Sequence, residues 1–517
     1  MKRLIYAAAL CAGLASAACT DDLDQYPHEE TTGEDLYKTV GDYESVLAKL
    51  YASYTVVGQG KGGDNADLTS NNGHDFGRTL FNLQEATTDE VASTWLEGDK
   101  LTGLQGHTWD ANDAWSTDAY YRAYYTIALC NEFLRHCGDD RLSSFAEKDQ
   151  PELKSFRAEA RFVRAYYYYW VLDLFRKGPM VTESDKVGSY IPKVADARGL
   201  FAYVESELKE CSEEMMPRES AVYGRAPRAA AWMLLSRLYL NAEVYTGAGR
   251  YDDCATYAAK VIGEGYSLNY DYSQLFNADN HKRVNEIILH AVVDATQTVT
   301  WGSTTSLICG AASTGCKSAE YSVGNYGVAS GWGSTRAQSQ LTSTFESGDA
   351  RYCFFTDQQQ EVVENSTDQT QGYIVTKYTN LTDTGEAASN TSSDGVETDV
   401  PLFRLAEAYL NLAEAVARGA KTATVGEALD GINKLRDRAG LGELAEGGLT
   451  LDNILLERQH EMYWENTRRT DLVRYDRFST AAYLWDTKSG AFDARYNYFP
   501  IPQTELTANP NLSNPEY

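Results

Sequence analysis

The run Arg157-Ala158-Glu159-Ala160-Arg161-Phe162-Val163-Arg164-Ala165-Tyr166-Tyr167-Tyr168-Tyr169 decides the fold. It reads as the middle of one long helix over residues 151–177. Pro151 suits a first turn, whose amide needs no intrahelical partner. Phe162, Tyr166, Tyr169 and Leu172 recur at helical spacing, and Gly178-Pro179 stops the run. Working outward, residues 197–216 repeat the pattern with Leu200, Val204 and Leu208 on one face. Residues 226–246 and 251–263 form a further pair of helices. Residues 401–418 and 424–439 form another, with Leu402, Leu405, Tyr409, Leu412 and Val416 answered by Leu429, Ile432 and Leu435. A last long helix covers about 450–467, and Trp170, Trp232 and Trp464 fall inside these patterns as packing residues.

The link from Gly249 to Ala255, followed by Tyr257, Ala258 and Lys260, resembles the second half of a tetratricopeptide repeat, whose small residues let antiparallel helices approach. Such pairs cannot bury their faces alone. The reading is therefore a mostly α fold in which helix pairs, at about 151–265 and 401–467, stack into a superhelical spine. Two long segments interrupt it, 58–120 and 295–400, rich in Gly, Ser, Thr, Asn and Asp. Loops of that length are uncommon unless functional.

Forty-three per cent hydrophobic and 23% charged residues suit a globule with a large core. The net charge of −28 speaks against nucleic acid, whose phosphates need clustered Lys and Arg. Thirty-six tyrosines and nine tryptophans against seven histidines leave aromatic surface in excess and little imidazole for acid–base chemistry.

Residues 1–18 read as a secretory signal: Lys2 and Arg3, then an apolar run from Leu4 to Ala18 too short to span a bilayer comfortably. Ser16-Ala17-Ala18-Cys19 fits a bacterial lipoprotein signal with the Cys19 thiol diacylated, although Ser16 stands where Leu is usual. The alternative is ordinary cleavage near Ala17 or Ala18. Residues 19–33 then form an acylated N-terminus and acidic tether, and 34–517 a single domain. Among the other cysteines, apart from Cys11, seven is an odd number, which excludes a complete disulfide framework; Cys309 and Cys316 could pair or stay as buried thiols.

Catalytic patterns fail. Gly58-x-Gly60-x-x-Gly63 lacks a βαβ context, and His460-Glu461 has no second His. Glu457, Glu461 and Glu465 read as a solvated, ion-paired helix face. Asp110-Ala111-Asn112-Asp113 offers oxygens to calcium but lacks the Gly and terminal Glu of an EF loop. The sequons at Asn365, Asn380 and Asn390 carry no argument in a bacterial protein. No catalytic residue and no resident metal or cofactor is expected.

The helix around Arg157–Tyr169 with Gly178-Pro179 resembles the signature helix of the SusD/RagB lipoproteins. Gly224-Arg225-Ala226, Phe403–Ala415, Ile432–Leu441, Glu457–Tyr475 and Phe499-Pro500-Ile501-Pro502 with Asn509–Leu512 match further family motifs in order. The resemblance implies a SusD-like fold whose loops form the ligand face. It implies a lipid-anchored, surface-exposed outer-membrane protein that captures glycan as the lid of a SusC-type TonB-dependent transporter, without catalysis. A peptide-binding RagB-like member is the alternative within the family. A helical glycoside hydrolase is the remote one, and would need two facing carboxylates.

Aromatic rings offer flat apolar faces to the C–H patches of sugars, while amides, carboxylates and guanidiniums fix hydroxyls. Trp95 sits where family members often place a sugar-stacking Trp, with Asp75 and Arg78 as polar partners upstream. Gly331-Trp332-Gly333, with Arg336 behind, presents a ring from a loop or forms a structural turn. Trp301, Tyr321 and Tyr326 lie in the insert that would carry specificity; each taken alone reads first as partly buried core. Arg161, Arg164, Glu407, Glu414 and Asp471 read as ion pairs between helices.

Overall fold

The computed structural model describes residues 36–62, 66–68, 74–188, 190–389, 395–480 and 493–517. The signal, Cys19 and its tether lie outside them. The chain divides into two units, Met1–Tyr43 and Glu44–Tyr517. In the described part of the first, the Asp42 carboxylate accepts the Thr39 amide at 2.7 Å. Apart from the first residues of α1, everything below concerns the second.

The longer helices are α1 (Val40–Ala52), α2 (Phe76–Gln84), α3 (Ala114–Arg135), α4 (Gln150–Phe175), α5 (Ala197–Cys211), α6 (Arg228–Leu240), α7 (Tyr251–Gly263), α8 (Ser303–Ala311), α9 (Leu405–Ala417), α10 (Val425–Arg438) and α11 (Leu451–Met462). Helix packs on helix in succession: α3 on α4, α4 on α5, α5 on α6, α6 on α7, α7 on α9, and α9 on both α10 and α11. Among the described residues, four strands of three or more residues, β1 (Val91–Ser93), β2 (Ile287–Ala291), β3 (Thr335–Ala337) and β4 (Val400–Arg404), make two antiparallel pairs, β1–β3 and β2–β4. No described helix is long and apolar enough to cross a membrane.

The signature helix is buried around its whole circumference from Val163 to Phe175, including all four consecutive tyrosines. A single apolar stripe is what a surface helix shows; one packed on several sides reads apolar all round. Arg176, left-handed at φ 62°, ends it. At Gly178 a Cβ would stand 2.1 Å from the Tyr124 hydroxyl, so the stop is also a close approach.

Several expected boundaries move. Residues 400–404 are a strand, so Leu402 belongs to β4 and not to the face of α9. The helix expected over 450–467 ends at Met462 and a separate one runs Arg468–Arg474. Trp464 lies in the turn between them at φ 63°, buried against Phe81. The segment 58–120 is less irregular than its composition suggests: α2 is entirely buried, and Trp115 sits in α3 as core. The seven described cysteines are free thiols, Cys309 and Cys316 among them.

The carboxylates expected to form a solvated face are buried instead. Glu461 accepts from Arg404 at 2.5 Å, from Arg438, and from Arg351 at 3.4 Å. Glu465 takes Lys377 and Arg404, both at 2.7 Å. Against the burial that would raise it, Arg438, Arg404 and Arg351 hold the Glu461 carboxyl well below the usual range. Helical spacing places Glu457 and Glu461 on one face of α11 but does not say whether water or arginine covers it, and Glu465 lies beyond the end of that helix. The other ion pairs join helices as expected: Arg161 and Arg164 to Glu207, Arg237 to Glu407, Arg474 to Glu414, and Arg458 to Asp471.

Candidate functional site

β1 and β3 carry the site. Their register pairs Ser93 with Thr335 and Val91 with Ala337. Trp95 follows one strand by two residues and Trp332 precedes the other by three, so antiparallel pairing brings the indoles together. Thr94 fastens the two segments: its amide donates to Ser334 O at 2.8 Å and its hydroxyl to Gly333 O at 2.8 Å. The ring centroids of Trp95 and Trp332 lie 6.1 Å apart with planes 23° from parallel. Trp95 is 37% exposed and Trp332 half-buried.

Gly331 and Gly333 are both required by the backbone. A Cβ at Gly331 would stand 2.2 Å from Ala312 O, and Gly333 has φ 61°. The tripeptide docks on the end of α8, with the Trp332 amide on Cys309 O at 2.7 Å and Gly333 on Ala312 O at 2.8 Å. The structural turn and the presented ring are therefore the same feature.

A third indole, Trp301, stands 41% exposed just before α8. Asp75 holds its loop: the carboxylate accepts from the Thr300 hydroxyl at 2.9 Å, the Ser303 amide at 3.0 Å and the Ser303 hydroxyl at 2.7 Å, while also capping α2. Gly62, at φ 64°, backs the Trp301 ring so closely that a Cβ there would lie 3.5 Å from it.

Arg78 ties the pieces together. Its guanidinium donates to Trp301 O at 2.8 Å and to Asp99 at 2.6 Å, and lies 5.5 Å from the Trp332 ring centre and 5.8 Å from that of Trp115. Trp115 in turn donates to Asp99 O at 2.6 Å and stacks on His74 at 4.9 Å. Burial, then the neighbouring Arg78 and Arg122 guanidiniums, push His74 down to about 2, so the imidazole is neutral and its Nδ1 faces Arg78 as acceptor at 3.3 Å.

Of the residues singled out in the sequence, Trp95, Trp301, Trp332 and Arg78 come together, with Asp75 beneath as an anchor. Asp75 itself is fully buried and offers no surface to a ligand. Tyr326 and Arg336 also turn inward. Tyr326 donates to Val375 O at 3.0 Å, and Arg336 donates to Ser313 Oγ at 3.0 Å and Thr335 O at 2.6 Å. Tyr321 is half-buried, its hydroxyl accepting the Ser313 amide at 2.6 Å. Sequence reasoning missed Asp99, Thr94, His74 and Gly62. Only Asp99 left a signal, four residues beyond Trp95. The acidic Asp110–Asp113 run is spent on local turns, Asp110 accepting Asn112 N at 2.7 Å and Asp113 capping α3. Among the described residues no cluster of three or more His, Cys, Asp or Glu is arranged to hold a metal.

Residues 317–517 match the SusD family, and residues 23–240 match the family described as starch-binding, associating with outer membrane. The starch-binding protein SusD of Bacteroides thetaiotaomicron is 32% identical, over 99% of this chain and 98% of its own. Among solved structures, a surface glycan-binding protein A from Bacteroides uniformis superposes with TM-score 0.71 at 21% identity, covering 92% of this chain and 99% of that one. One from Bacteroides thetaiotaomicron in complex with laminarihexaose gives 0.69 at 19%, covering 92% and 99%. Likeness across nearly the whole length of both partners, over the helix stack and the loops that carry the indoles, makes this chain a member of the SusD family.

Proposed function

We propose that the protein captures a glycan chain on the indole platform and does not cleave it. The paired, partly exposed rings of Trp95 and Trp332 carry the reading. Two indoles held nearly parallel by β1–β3 and backed by Arg78 give an apolar face that is in place before a ligand arrives. Sugar C–H faces stack on the rings, and Trp301 extends the contact along the chain. Asp99, the carboxylate beside the rings, is ion-paired with Arg78. The identity to a starch-binding relative makes an α-glucan the first ligand to test. The family motifs support a lipid anchor at Cys19, placement on the outer-membrane surface, and transfer of the oligosaccharide to a SusC-type TonB-dependent transporter.

Native affinity electrophoresis against starch, laminarin and a panel of plant, fungal and host polysaccharides tests this. Retardation by one glycan, abolished by Trp95→Ala or Trp332→Ala, is expected. Binding of oligopeptides with no glycan retardation would sink the reading in favour of a peptide ligand. Labelling of the wild type but not of Cys19→Ser by a radioactive fatty acid tests the anchor, and co-purification from outer membranes tests the transporter.

A further inference from the structure

Between a short helical turn at Arg218–Ser220 and α6, residues 221–225 cross the surface as a strap. Val222 is 49% and Tyr223 46% exposed. The strap is held at its middle, where the Tyr223 hydroxyl donates to the buried Asp399 carboxylate and the ring sits 5.5 Å from His290. Gly224 has φ 78°, and a Cβ there would meet Val292 at 2.8 Å, so the crossing needs glycine. Behind the strap lies a cavity of about 260 Å³, walled by Val284, Ile287, Ile288, Leu289 and Tyr266. At the ~30 Å³ a water takes in the liquid, it has room for at least about eight non-hydrogen atoms.

Two guanidiniums line this apolar space, and they differ. Arg225 is neutralised by Glu159 through two hydrogen bonds, at 2.5 and 3.1 Å. Arg218 has no ion-pair partner among the described residues. It lies 4.9 Å over the Tyr266 ring, and its Nε is buried without a hydrogen-bond acceptor. A buried donor left unmade is costly, and an anion seated beside it restores the bond in charge-assisted form. An apolar cavity with one uncompensated cation on its wall selects a ligand that is apolar along its body and anionic at one end.

We propose that this cavity is a second binding site, separate from the indole platform, for a small amphipathic monocarboxylate whose carboxylate pairs with Arg218 and whose hydrocarbon body packs on the β2 side chains. Arg218 supplies the charge selectivity, and Tyr223 and Val222 form the cover.

Sodium octanoate is the probe, with octan-1-ol and octylammonium as matched tails of different charge, each titrated into the purified protein by calorimetry and ligand-observed NMR. Octanoate is expected to bind saturably at one site, about tenfold or more tighter than octanol, the worth of one charge-assisted hydrogen bond. Octylammonium is expected to bind no tighter than octanol. Arg218→Gln should bring octanoate down to the octanol value while leaving octanol, the thermal midpoint and glycan retardation unchanged. Equal binding of octanoate and octanol by the unmodified protein would overturn the proposal without recourse to any variant. So would full octanoate affinity in Arg218→Gln, or no saturable octanoate binding at concentrations up to about 10 mM.

Discussion

Arginine serves opposite ends in the helical stack and at the indole platform. Around α11 each guanidinium is matched to carboxylates: Arg351, Arg404 and Arg438 converge on Glu461, and Arg404 and Lys377 on Glu465. At the platform Arg78 has one carboxylate, Asp99, one carbonyl, Trp301 O, and two rings within 6 Å. In the stack, charge is cancelled in place and contributes to the register between helices. At the platform, one cation holds three loops so that their indoles face outward. The lesson is that burial of an arginine says little about its work, whereas the balance of carboxylates to rings around it says a good deal.

If that contrast is sound, the two regions fail differently when cut. Glu461→Ala leaves three guanidiniums short of a partner in a dry interior, and is expected to lower stability by about 3–5 kcal/mol in a denaturant titration. Glycan affinity measured on the remaining folded fraction should stay within about twofold. Arg78→Gln should do the reverse. Losing the Asp99 and Trp301 anchors should weaken glycan binding about tenfold or more, and should change the near-ultraviolet circular dichroism of the coupled indoles, with a stability loss of only about 1–3 kcal/mol. Arg78→Lys keeps the charge but not the fork that reaches carbonyl and carboxylate together, and should recover only part of the affinity. Equal stability losses in Glu461→Ala and Arg78→Gln would erase the distinction.

The stack was legible in the sequence because helical periodicity is local: the limits of α4 and α10 fall within two residues of where spacing, Pro151 and Gly178 put them. The solvation of Glu457 and Glu461 was not legible, since the arginines that cover them include Arg351 and Arg404, more than fifty residues away. At the platform, residue type alone pointed to Trp95, Trp301 and Trp332. Their adjacency depends on the pairing of β1 with β3 across some 240 residues, which no local pattern encodes. The same blindness made Arg336 look available: a guanidinium in a Gly- and Ser-rich segment reads as exposed until the packing is known.

The smallest expected effect lies where the two regions meet, at Glu85 and Glu90. Glu85 accepts the Thr467 amide at 2.9 Å, from the turn after α11, while Glu90 leads directly into β1. Burial and then the neighbouring Glu90 charge push Glu85 well above the usual carboxylate range. Burial also raises Glu90, to about 7, against the pull of Arg468. One proton shared between them gives a hydrogen bond to the Glu85 and Glu90 oxygens that otherwise have none, Glu90 Oε1 standing only in ion-pair range of Arg468 at 3.5 Å. An acid with a raised folded-state value binds its proton more tightly folded than unfolded, so the pair withdraws stability as pH climbs from about 4.5 through 7. Glu85→Gln mimics the protonated form, with its oxygen for Thr467 and its amide for Glu90. It should be near neutral at pH 5 and stabilising by about 1–2 kcal/mol at pH 8, read as a denaturant midpoint at each pH. Because Glu90 also fixes the Trp464 amide and stands at the head of the strand bearing Trp95, wild-type glycan affinity should weaken modestly over the same pH range and the variant's should not. A stability profile for Glu85→Gln that parallels the wild type from pH 5 to 8 would mean that the two carboxyls share no proton and that the stack and the platform titrate independently.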